Sequence, residues 1–310
     1  MVVLVNRSAC GGTALEKWKR VEPMLLQRFG SFAVAAVKSP AEATRLVGVM
    51  LGEGERDFVA AGGDGTVNLL VQSIVEQAEP SALATVRVGA IGLGSSNDFH
   101  KPFRPERMFD GVPCKVDFES AMPYDVGVLA FEDAQGVAHT RYWILNASIG
   151  ITAEANLFFN TAGPAIRSLK RFSPMRGIVY AALHAIATYR VRGMAIRSGE
   201  GEAIETGVTN LGVVKNPHFT GSLSYDSPHE PDSGYFHVHL CKRTSIVGTL
   251  ITLIRLLWGK FSGVHWTRSW RAKSLHVTAN RLFAVEYDGE VVRTRCVSFS
   301  IRHKLLRVCT

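Results

Sequence analysis

The first third of the chain alternates between two patterns of apolar residues. Short apolar runs, typical of buried strands, lie at 2–5, 31–37, 58–61 and 86–92. Stretches with the apolar spacing of one helix face fall between them, near 13–29, 40–51 and 66–77. Strands that alternate with helices predict a parallel sheet with helices on both faces. Ligands of such sheets bind at the carboxyl ends of the strands, and polar turns follow three of these runs.

The pattern changes near residues 120–124. Beyond this boundary, short segments of alternating apolar and polar residues are separated by turn residues, which favours an antiparallel β-sandwich. Two helical stretches interrupt the segments, near 164–189 and 244–261. We therefore predict an α/β domain followed by a β-rich domain with helical insertions.

The apolar segment at 245–261 requires a test for membrane spanning. Arg255 interrupts it, and its uninterrupted part is shorter than the ~20 residues that cross a bilayer. We predict a buried or interfacial helix, and the core is the more frequent place for such a helix. The opening sequence "MVVLVNRSACGG" lacks the basic start and long apolar run of a signal peptide.

Charge and cysteine content narrow the class of protein. The net charge of +8 predicts an anionic partner, which can be a nucleotide, a membrane surface or a nucleic acid. The five cysteines are scattered and form no CxxC pair. This usage favours a reducing compartment and argues against a disulfide scaffold or a zinc site.

The segment "FVAAGGDGTVNLLV" (58–71) carries the clearest chemistry. It predicts a strand, a glycine turn and a helix N-terminus, whose free N–H groups and partial positive charge suit a phosphate. Asp64 would be repelled by that phosphate unless a cation or a proton donor intervened. Mg²⁺ can bridge carboxylate and phosphate, or the carboxylate can accept a proton from an attacking hydroxyl. Both explanations indicate phosphoryl transfer, whereas the alternative is a plain turn with Asp64 as a helix-start residue.

Three other turns carry weaker signals. In "GLGSSNDFH" (92–100), Gly94 permits close backbone approach and Ser95 can donate a hydrogen bond, but a capped helix start explains the same residues. The first turn, "NRSACGG" (6–12), is equally compatible with a plain glycine loop. In "EYDGEVV" (286–292), Asp-Gly between apolar strands is first a hairpin signal.

Taken together, these motifs resemble a known family. "GGDGTVN" followed by "GLGSSNDF" resembles the catalytic domain of the diacylglycerol kinase and sphingosine kinase superfamily, which includes soluble bacterial lipid kinases. The resemblance continues through "YDVGVL", "LNASIGI", "NPHFTGSLSYDSPHEPDSGYF" and "FAVEYDGEVV", in family order. GGDG also occurs in NAD kinases and phosphofructokinases, so the combination of GGDGT, NDF and a late DGE carries the specificity.

The resemblance implies an architecture. It implies an NAD-kinase-like α/β nucleotide-binding domain with a parallel sheet, at 1–122, joined by the last strand at about 296–310. A β-sandwich domain with helical insertions would occupy 123–295 and take the lipid acceptor. ATP and the lipid would meet in a cleft.

The resemblance also implies roles for individual residues. The predicted nucleotide site comprises Asn6, Ser8, Ala9, Cys10, Gly11, Gly62, Gly63, Asp64, Gly65, Thr66, Asn68 and Ser95. Asp98 and Asp125, together with Asp64, match acids that hold magnesium and water near the phosphates. Asp288 and Glu290 match the acids at the acceptor hydroxyl, and one of them should be the general base. Asp64, Asp288 and Glu290 are therefore the predicted catalytic residues.

Three departures from the family pattern affect these assignments. Cys10 stands where the family has glycine, and Ser95 replaces threonine but keeps its hydroxyl. Ser233 stands where relatives have an acid before a glycine, in a loop that holds a structural magnesium in some bacterial members. Only Asp232 remains there as a metal ligand, so the resemblance implies that site weakly.

The sequence thus predicts a cytoplasmic lipid kinase that works peripherally at a membrane, with ATP and Mg²⁺ as cofactors. It would transfer the γ-phosphate to the hydroxyl of a lipid such as diacylglycerol or a sphingoid base, with no nucleic acid as partner. The alternatives are an NAD kinase-like enzyme and a non-catalytic relative that binds lipid or nucleotide. The sequence does not identify the acceptor lipid or decide whether the protein forms a homodimer. A basic cluster, either a headgroup-docking site or a solvated face, comprises Arg167, Lys170, Arg171 and Arg176.

Overall fold

A computed structural model describes residues 1–6, 14–37, 39–161 and 174–310. The chain divides into two compact units. The first comprises Met1–Val126 and His303–Thr310, and the second comprises Gly127–Arg302. The sequence placed these boundaries at 122–123 and at about 296.

The first unit is built on four parallel strands and the helices between them. The strands are β1 (Val2–Val5), β2 (Ala33–Ala36), β3 (Asp57–Gly62) and β4 (Arg87–Gly92). The helices are α1 (Ala14–Phe29), α2 (Pro40–Gly52) and α3 (Asp64–Gln77). The strands pair in the order β4-β3-β1-β2. In this register Gly62 of β3 lies beside Gly92 of β4, so two glycine turns leave the sheet at neighbouring points.

Burial explains why these segments form strands and helices. β1 is buried along its whole length, which its uninterrupted apolar sequence requires. α1 packs Trp18, Val21 and Leu25 from one face against strand residues that include Val3 and Val59. Ser39 caps α2 by accepting the Glu42 N–H, and Pro40 occupies its first turn. The end of the chain adds a parallel partner to β4, where Val308 lies beside Val88.

Four strands follow β4 along the chain, and the boundary between the two units falls within β7. They are β5 (Met108–Phe109), β6 (Val112–Lys115), β7 (Met122–Glu132) and β8 (Ala138–Trp143). β6 pairs with β4, and β7 and β8 form an antiparallel hairpin. The hairpin is tight, because a Cβ on Gly127 would lie 2.0 Å from the Trp143 ring.

The strands of the second unit are antiparallel and form one curled sheet. They are β9 (Asn146–Gly150), β10 (Arg192–Ser198), β11 (Ile204–Val214), β12 (His218–Phe219), β13 (Leu223–Ser224), β14 (Phe236–Lys242), β15 (Thr267–Ala272), β16 (Ser274–Tyr287) and β17 (Glu290–Val308). Only β12 and β13 pair separately, as a small hairpin. β9 and β10 lie end to end between β11 and β16. Each of the two short strands pairs with β11 on one side and with β16 on the other.

The single sheet differs from the predicted sandwich. Trp143 of β8 packs against Phe236 of β14, with ring centroids 6.2 Å apart, although their strands are far apart in the sheet order. The sheet is therefore curved like a barrel, and its inner face encloses the hydrophobic core. Alternation of apolar and polar residues is common to sandwiches and barrels, so the sequence pattern alone did not separate them.

Three described helices interrupt the second unit. They are α4 (Ile151–Thr161), α5 (Pro174–Thr188) and α6 (Ile246–Leu257). Much of the outward surface of α6 is apolar, so the expectation that this helix belongs mainly to the core is wrong. Within the described ranges, every helix is too short or too polar to cross a membrane.

Candidate active site

The GGDG motif lies where β3 ends and α3 begins. β3 ends at Gly62, Gly63 is the N-cap, and Asp64 is the first helical residue. A side chain at Gly62 is excluded because its Cβ would lie 2.2 Å from the Thr66 hydroxyl. That hydroxyl accepts a hydrogen bond from the Asn6 amide at 3.3 Å. The end of β1 and the start of α3 are thereby held together, as the predicted nucleotide site requires.

The first turn of α3 presents backbone to solvent. Gly65 is exposed, and a Cβ added there would meet no neighbouring atom. The N-terminal end of a helix carries a partial positive charge and attracts phosphate. Asn68, a predicted nucleotide contact, is buried, and its side-chain oxygen accepts a hydrogen bond from the Gln72 amide at 3.0 Å.

Asp64 connects the GGDG turn to the second glycine turn. Its carboxylate accepts the N–H groups of Asp98 at 3.0 Å and of Phe99 at 2.9 Å. The two turns also touch directly, because a Cβ on Gly94 would lie 2.6 Å from the Cα of Gly63. The acid among anion-binding groups therefore has a structural partner, and it fixes the spacing of the two turns.

The second turn is held in shape by Asn97. This residue adopts a left-handed conformation with a φ of 49°, which asparagine tolerates better than most residues. Its side chain accepts the Gly94 N–H and donates to the carbonyl of Gly92, both at 3.0 Å. Ser95, a predicted nucleotide contact, is exposed at the tip.

Lys17 brings a cation to this turn. Its ammonium group, on α1, donates to the carbonyl oxygen of Gly94 at 3.2 Å and lies 3.5 Å from that of Leu93. A lysine at this position can attract a phosphate group approaching the turn. The sequence analysis did not select Lys17, because nothing in the local pattern of α1 distinguishes it from other polar helix residues.

Two buried basic side chains lie beneath the second turn. Lys115 donates to the carbonyl of Phe99 at 2.8 Å, and burial lowers the pKa of its ammonium to about 8. Burial, together with the nearby Lys115, lowers the pKa of His100 to about 3. His100 is therefore neutral at physiological pH, and its buried Nδ1 lacks a hydrogen-bond partner within the described part of the chain.

The acids predicted to hold magnesium already have partners in the protein. Asp98 accepts the Lys101 ammonium at 2.7 Å. Asp125 is fully buried. Its carboxylate accepts hydrogen bonds from His303 Nδ1 and from the Lys304 N–H, each at 2.9 Å. Among the residues that the structure describes, no three His, Cys, Asp or Glu side chains cluster as a metal site. These donors do not fit a metal cage built by protein alone, so a divalent cation would depend on ligands from the nucleotide phosphates.

The loop that contains Asp232 and Ser233 surrounds a buried cation of the protein itself. Lys215 is almost fully buried, and its ammonium donates to the carbonyl oxygens of Glu230 at 2.7 Å and Tyr235 at 2.8 Å. The Ser233 hydroxyl lies 3.4 Å from the same nitrogen. Asp232, the predicted ligand, is only half-buried. Loop carbonyls of the kind that would ligate a metal are therefore bonded to the lysine.

The "YDGE" motif forms a two-residue hairpin turn. β16 ends at Tyr287, β17 begins at Glu290, and these two residues are paired. Asp288 and Gly289 both have positive φ, 44° and 95°, as a tight hairpin of this type requires. The hairpin signal in the sequence is therefore confirmed.

The two acids of this turn have different surroundings. The Asp288 carboxylate is buried and accepts three backbone N–H groups, from Ile144 at 2.6 Å and from Leu145 and Asn146 at 3.0 Å. Glu290 is exposed. Asp288 thus anchors the hairpin tip to the segment before β9, whereas the Glu290 side chain faces solvent.

Glu286 is a third acid of the turn that the sequence analysis missed. It is buried, accepts the Ser148 hydroxyl at 2.8 Å and accepts the Gly289 N–H at 2.9 Å. Burial raises the pKa of Glu286 to about 7, although both hydrogen bonds oppose the shift; the nearby Asp288 adds to it. The place of Glu286 two residues before the Asp-Gly turn is the only signal in the sequence, because the burial of its side chain depends on tertiary packing.

Some predicted residues lie outside the described part of the chain. They are Ser8, Ala9, Cys10 and Gly11 of the first turn, and Arg167, Lys170 and Arg171 of the basic cluster. The fourth member of that cluster, Arg176, is exposed on α5.

Comparison with known families bears on the two glycine turns. Residues 1–128 match the family model of the diacylglycerol kinase catalytic domain. The resemblance drawn from the motifs is thereby confirmed. This match covers β1 to β6 and the first part of β7, both glycine turns, Lys17 and Asp125. The acids of the "YDGE" turn lie beyond the segment matched to the diacylglycerol kinase catalytic domain.

Solved structures show the same fold over the whole chain. A diacylglycerol kinase from Bacillus anthracis strain Sterne is 16% identical, with a TM-score of 0.66; the alignment covers 99% of this chain and 95% of that one. A second structure from this organism has 18% sequence identity with this chain, a TM-score of 0.71 and coverage of 99% and 96%. At this identity the structures establish a shared two-domain fold. No curated protein sequence matches the chain.

Proposed function

We propose that this protein is an ATP-dependent lipid kinase that transfers the γ-phosphate of ATP to a lipid hydroxyl, with diacylglycerol and sphingoid bases as candidate acceptors. One observation carries the proposal: two glycine turns, fixed to each other by Asp64, leave neighbouring strands within a segment that matches the diacylglycerol kinase catalytic domain. Catalysis of phosphoryl transfer is mainly positioning and charge stabilisation, for which a rigid pair of turns is suited.

On the nucleotide side, the backbone of the GGDG turn and the start of α3 would bind the phosphates. Lys17, beside Gly94, would supply a positive charge at the second turn. A divalent cation, Mg²⁺ in our proposal, would neutralise developing charge on the transferred group. Asp64 would keep the two turns at a fixed spacing and orient the group nearest the phosphates.

On the acceptor side, we assign different roles to the two acids of the hairpin. Asp288, with three backbone N–H donors, would hold the tip of the turn. Glu290, which is exposed, would be the general base that takes the proton from the lipid hydroxyl. The acceptor is a membrane lipid and ATP is cytoplasmic, so the enzyme would work in the cytoplasm at a membrane surface.

Transfer of radiolabel from γ-labelled ATP to a mixed lipid extract tests this proposal. We expect labelled lipid products, separable by thin-layer chromatography, that require Mg²⁺ and form roughly 10² or more times slower in Asp64→Asn. Glu202→Gln, which changes an exposed acid in a turn of the second unit, is the matched control and should retain activity. Label appearing in NAD and not in lipid would indicate an NAD kinase. ATP binding with no transfer to either acceptor would indicate a non-catalytic relative.

A further inference from the structure

The helix α6 presents an unusually large apolar face to solvent. Its exposed members are Ile246, Val247, Leu250, Ile251, Ile254, Leu257 and Trp258. Their spacing places them along one side of a helix. Val247 is 64% exposed and Trp258 is 76% exposed. Single exposed apolar residues are ordinary on a protein surface, but a continuous row of them marks an interaction site.

The opposite face of α6 is well seated on the second unit. Gly248, Thr252 and Leu256 are buried, and Leu256 belongs to a cluster with Phe261. The Trp266 indole donates to the Thr252 hydroxyl at 2.9 Å. The helix also begins with an N-cap, because Ser245 accepts the Gly248 N–H. These contacts fix the orientation of α6, so its apolar row is held outward by packing on the inner side.

The charge around α6 indicates what the apolar face contacts. Residues 233–285 contain eight Lys and Arg and no Asp or Glu, a charge of +8 that equals the net charge of the whole chain. Lys242 and Arg243 precede the helix, and Lys260 follows it. Arg243 and Lys260 are exposed. An apolar row between basic ends is complementary to a lipid surface with anionic headgroups.

Acids from other segments approach this region at two described points, and both have partners. Asp226 accepts the N–H groups of Phe261 and Ser262, so it caps the turn after α6. Glu230 pairs with Arg271 at 2.9 Å. These contacts use one of the eight basic side chains and leave Arg243 and Lys260 without an acid among the described ion pairs.

We propose that α6 is a membrane-docking helix that lies in the interface of an anionic lipid surface. Its apolar row enters the boundary between headgroups and acyl chains, with Trp258 at the level of the headgroups. The flanking Lys and Arg contact lipid phosphates. This docking is additional to the proposed kinase function and requires no nucleotide, so binding and catalysis can be tested separately.

Vesicle co-sedimentation without ATP tests the proposal. The probes are vesicles of phosphatidylcholine alone and of phosphatidylcholine mixed with phosphatidylglycerol. We expect binding to the anionic vesicles, weakening with salt because exposed charges are screened. Ile254→Ser with Trp258→Ser should weaken binding at least tenfold. The matched control, Leu26→Ser with Val49→Ser, removes two exposed apolar side chains from α1 and α2 and should bind as the wild type does.

A second variant separates charge from apolar contact. Lys242→Gln, Arg243→Gln and Lys260→Gln together should reduce binding to anionic vesicles and flatten its salt dependence. Indole fluorescence supplies a readout on the folded wild type: emission should shift to shorter wavelength on vesicle binding, and Trp258→Phe should remove that shift. The proposal is overturned if the double serine variant binds like the wild type. It is also overturned if the wild type ignores vesicles and self-associates through α6, seen as concentration-dependent sedimentation that the serine variant abolishes.

Discussion

At the scale of single residues, Asp64 shows how one carboxylate can link two turns that attract anions. The sequence places it at a helix N-terminus, which favours a negative charge, but beside the phosphate that this turn is predicted to bind, which would repel it. The structure gives it two backbone N–H donors from the second turn, at 3.0 and 2.9 Å. Hydrogen bonds to a charged acceptor are stronger than those between neutral groups, which compensates the local cost.

Replacing Asp64 by asparagine should therefore affect both rate and stability. We expect kcat for lipid phosphorylation to fall by roughly 10² or more, as for loss of a positioned acidic group. Stability should fall by about 1–2 kcal/mol, because asparagine has one acceptor oxygen for two N–H donors. The measurements are kcat at saturating ATP and magnesium, and thermal unfolding. Near-normal turnover would remove Asp64 from the catalytic machinery and leave only the structural role.

Glu286 is a residue whose charge should change near physiological pH. Its pKa is about 7 in the folded protein and near 4.5 when unfolded. The folded state therefore binds more protons between these values, and the contribution of Glu286 to stability declines as pH rises from about 4.5 through 7. The neutral carboxyl is the form that the buried hairpin prefers.

Glu286→Gln should remove this pH dependence. We expect the variant to gain stability relative to the wild type by roughly 3 kcal/mol between pH 4.5 and pH 8, since the shift of the pKa corresponds to that energy. Chemical denaturation at several pH values measures the difference. The pKa of His100 is lowered to about 3, so this residue makes the protein more stable as pH rises towards 6.5. His100 is present in both proteins, and its contribution therefore cancels in the comparison. A constant difference across this pH range would contradict the prediction.

At the scale of elements, the hairpin between β16 and β17 separates an anchor from an exposed acid. Asp288→Asn should lower the midpoint of thermal unfolding. The NH₂ group of asparagine would face the Ile144 N–H, and it cannot accept a hydrogen bond from that donor. Glu290→Gln should leave stability unchanged and lower kcat by about 10² if Glu290 is the base. ATP affinity should be unaffected in both variants, since the glycine turns belong to the first unit.

The comparison of the two variants decides the assignment. Full activity in Glu290→Gln, together with loss of turnover and normal unfolding in Asp288→Asn, would exchange the two roles. If both variants turned over at the wild-type rate, the turn would be only a hairpin. Glu202→Gln controls for the loss of an exposed negative charge.

The loop between β13 and β14 is bonded to the buried ammonium group of Lys215. Lys215→Met should destabilise the protein by about 2–4 kcal/mol, because the buried carbonyls of Glu230 and Tyr235 lose their donor. Lys19→Met, at an exposed position on α1, should change stability by less than about 0.5 kcal/mol. Chemical denaturation compares the two. If Lys215→Met lost no more stability than Lys19→Met, other contacts would be sufficient to hold the shape of the loop.

At the scale of the whole molecule, positive charge is distributed unevenly along the chain. The acid-free segment 233–285 carries a charge equal to the net charge of the protein, so the rest of the chain is balanced. A uniform excess would favour any polyanion. A local excess that surrounds an apolar helix favours a surface that is both anionic and apolar, which is the property of a lipid interface.

The sequence by itself determined the local features. Apolar runs predicted β1, β3 and β4, and helical spacing predicted α1 and α3, because these periods follow from backbone geometry within a few residues. The glycine turns and the hairpin at Asp288 were equally visible, since they depend on conformations that few residue types adopt.

Tertiary structure decided what depends on distant partners. The donors to Asp288 lie more than 140 residues earlier in the chain, and Lys215 meets its carbonyls only after the loop folds over it. The pKa of Glu286 is set by burial, which one strand cannot reveal. The apolar residues of α6 fitted either a core helix or a surface helix, because helical spacing groups them on a face without showing what covers it. The tertiary structure decides this, because Leu256 packs inward and the apolar row from Ile246 to Trp258 therefore faces outward.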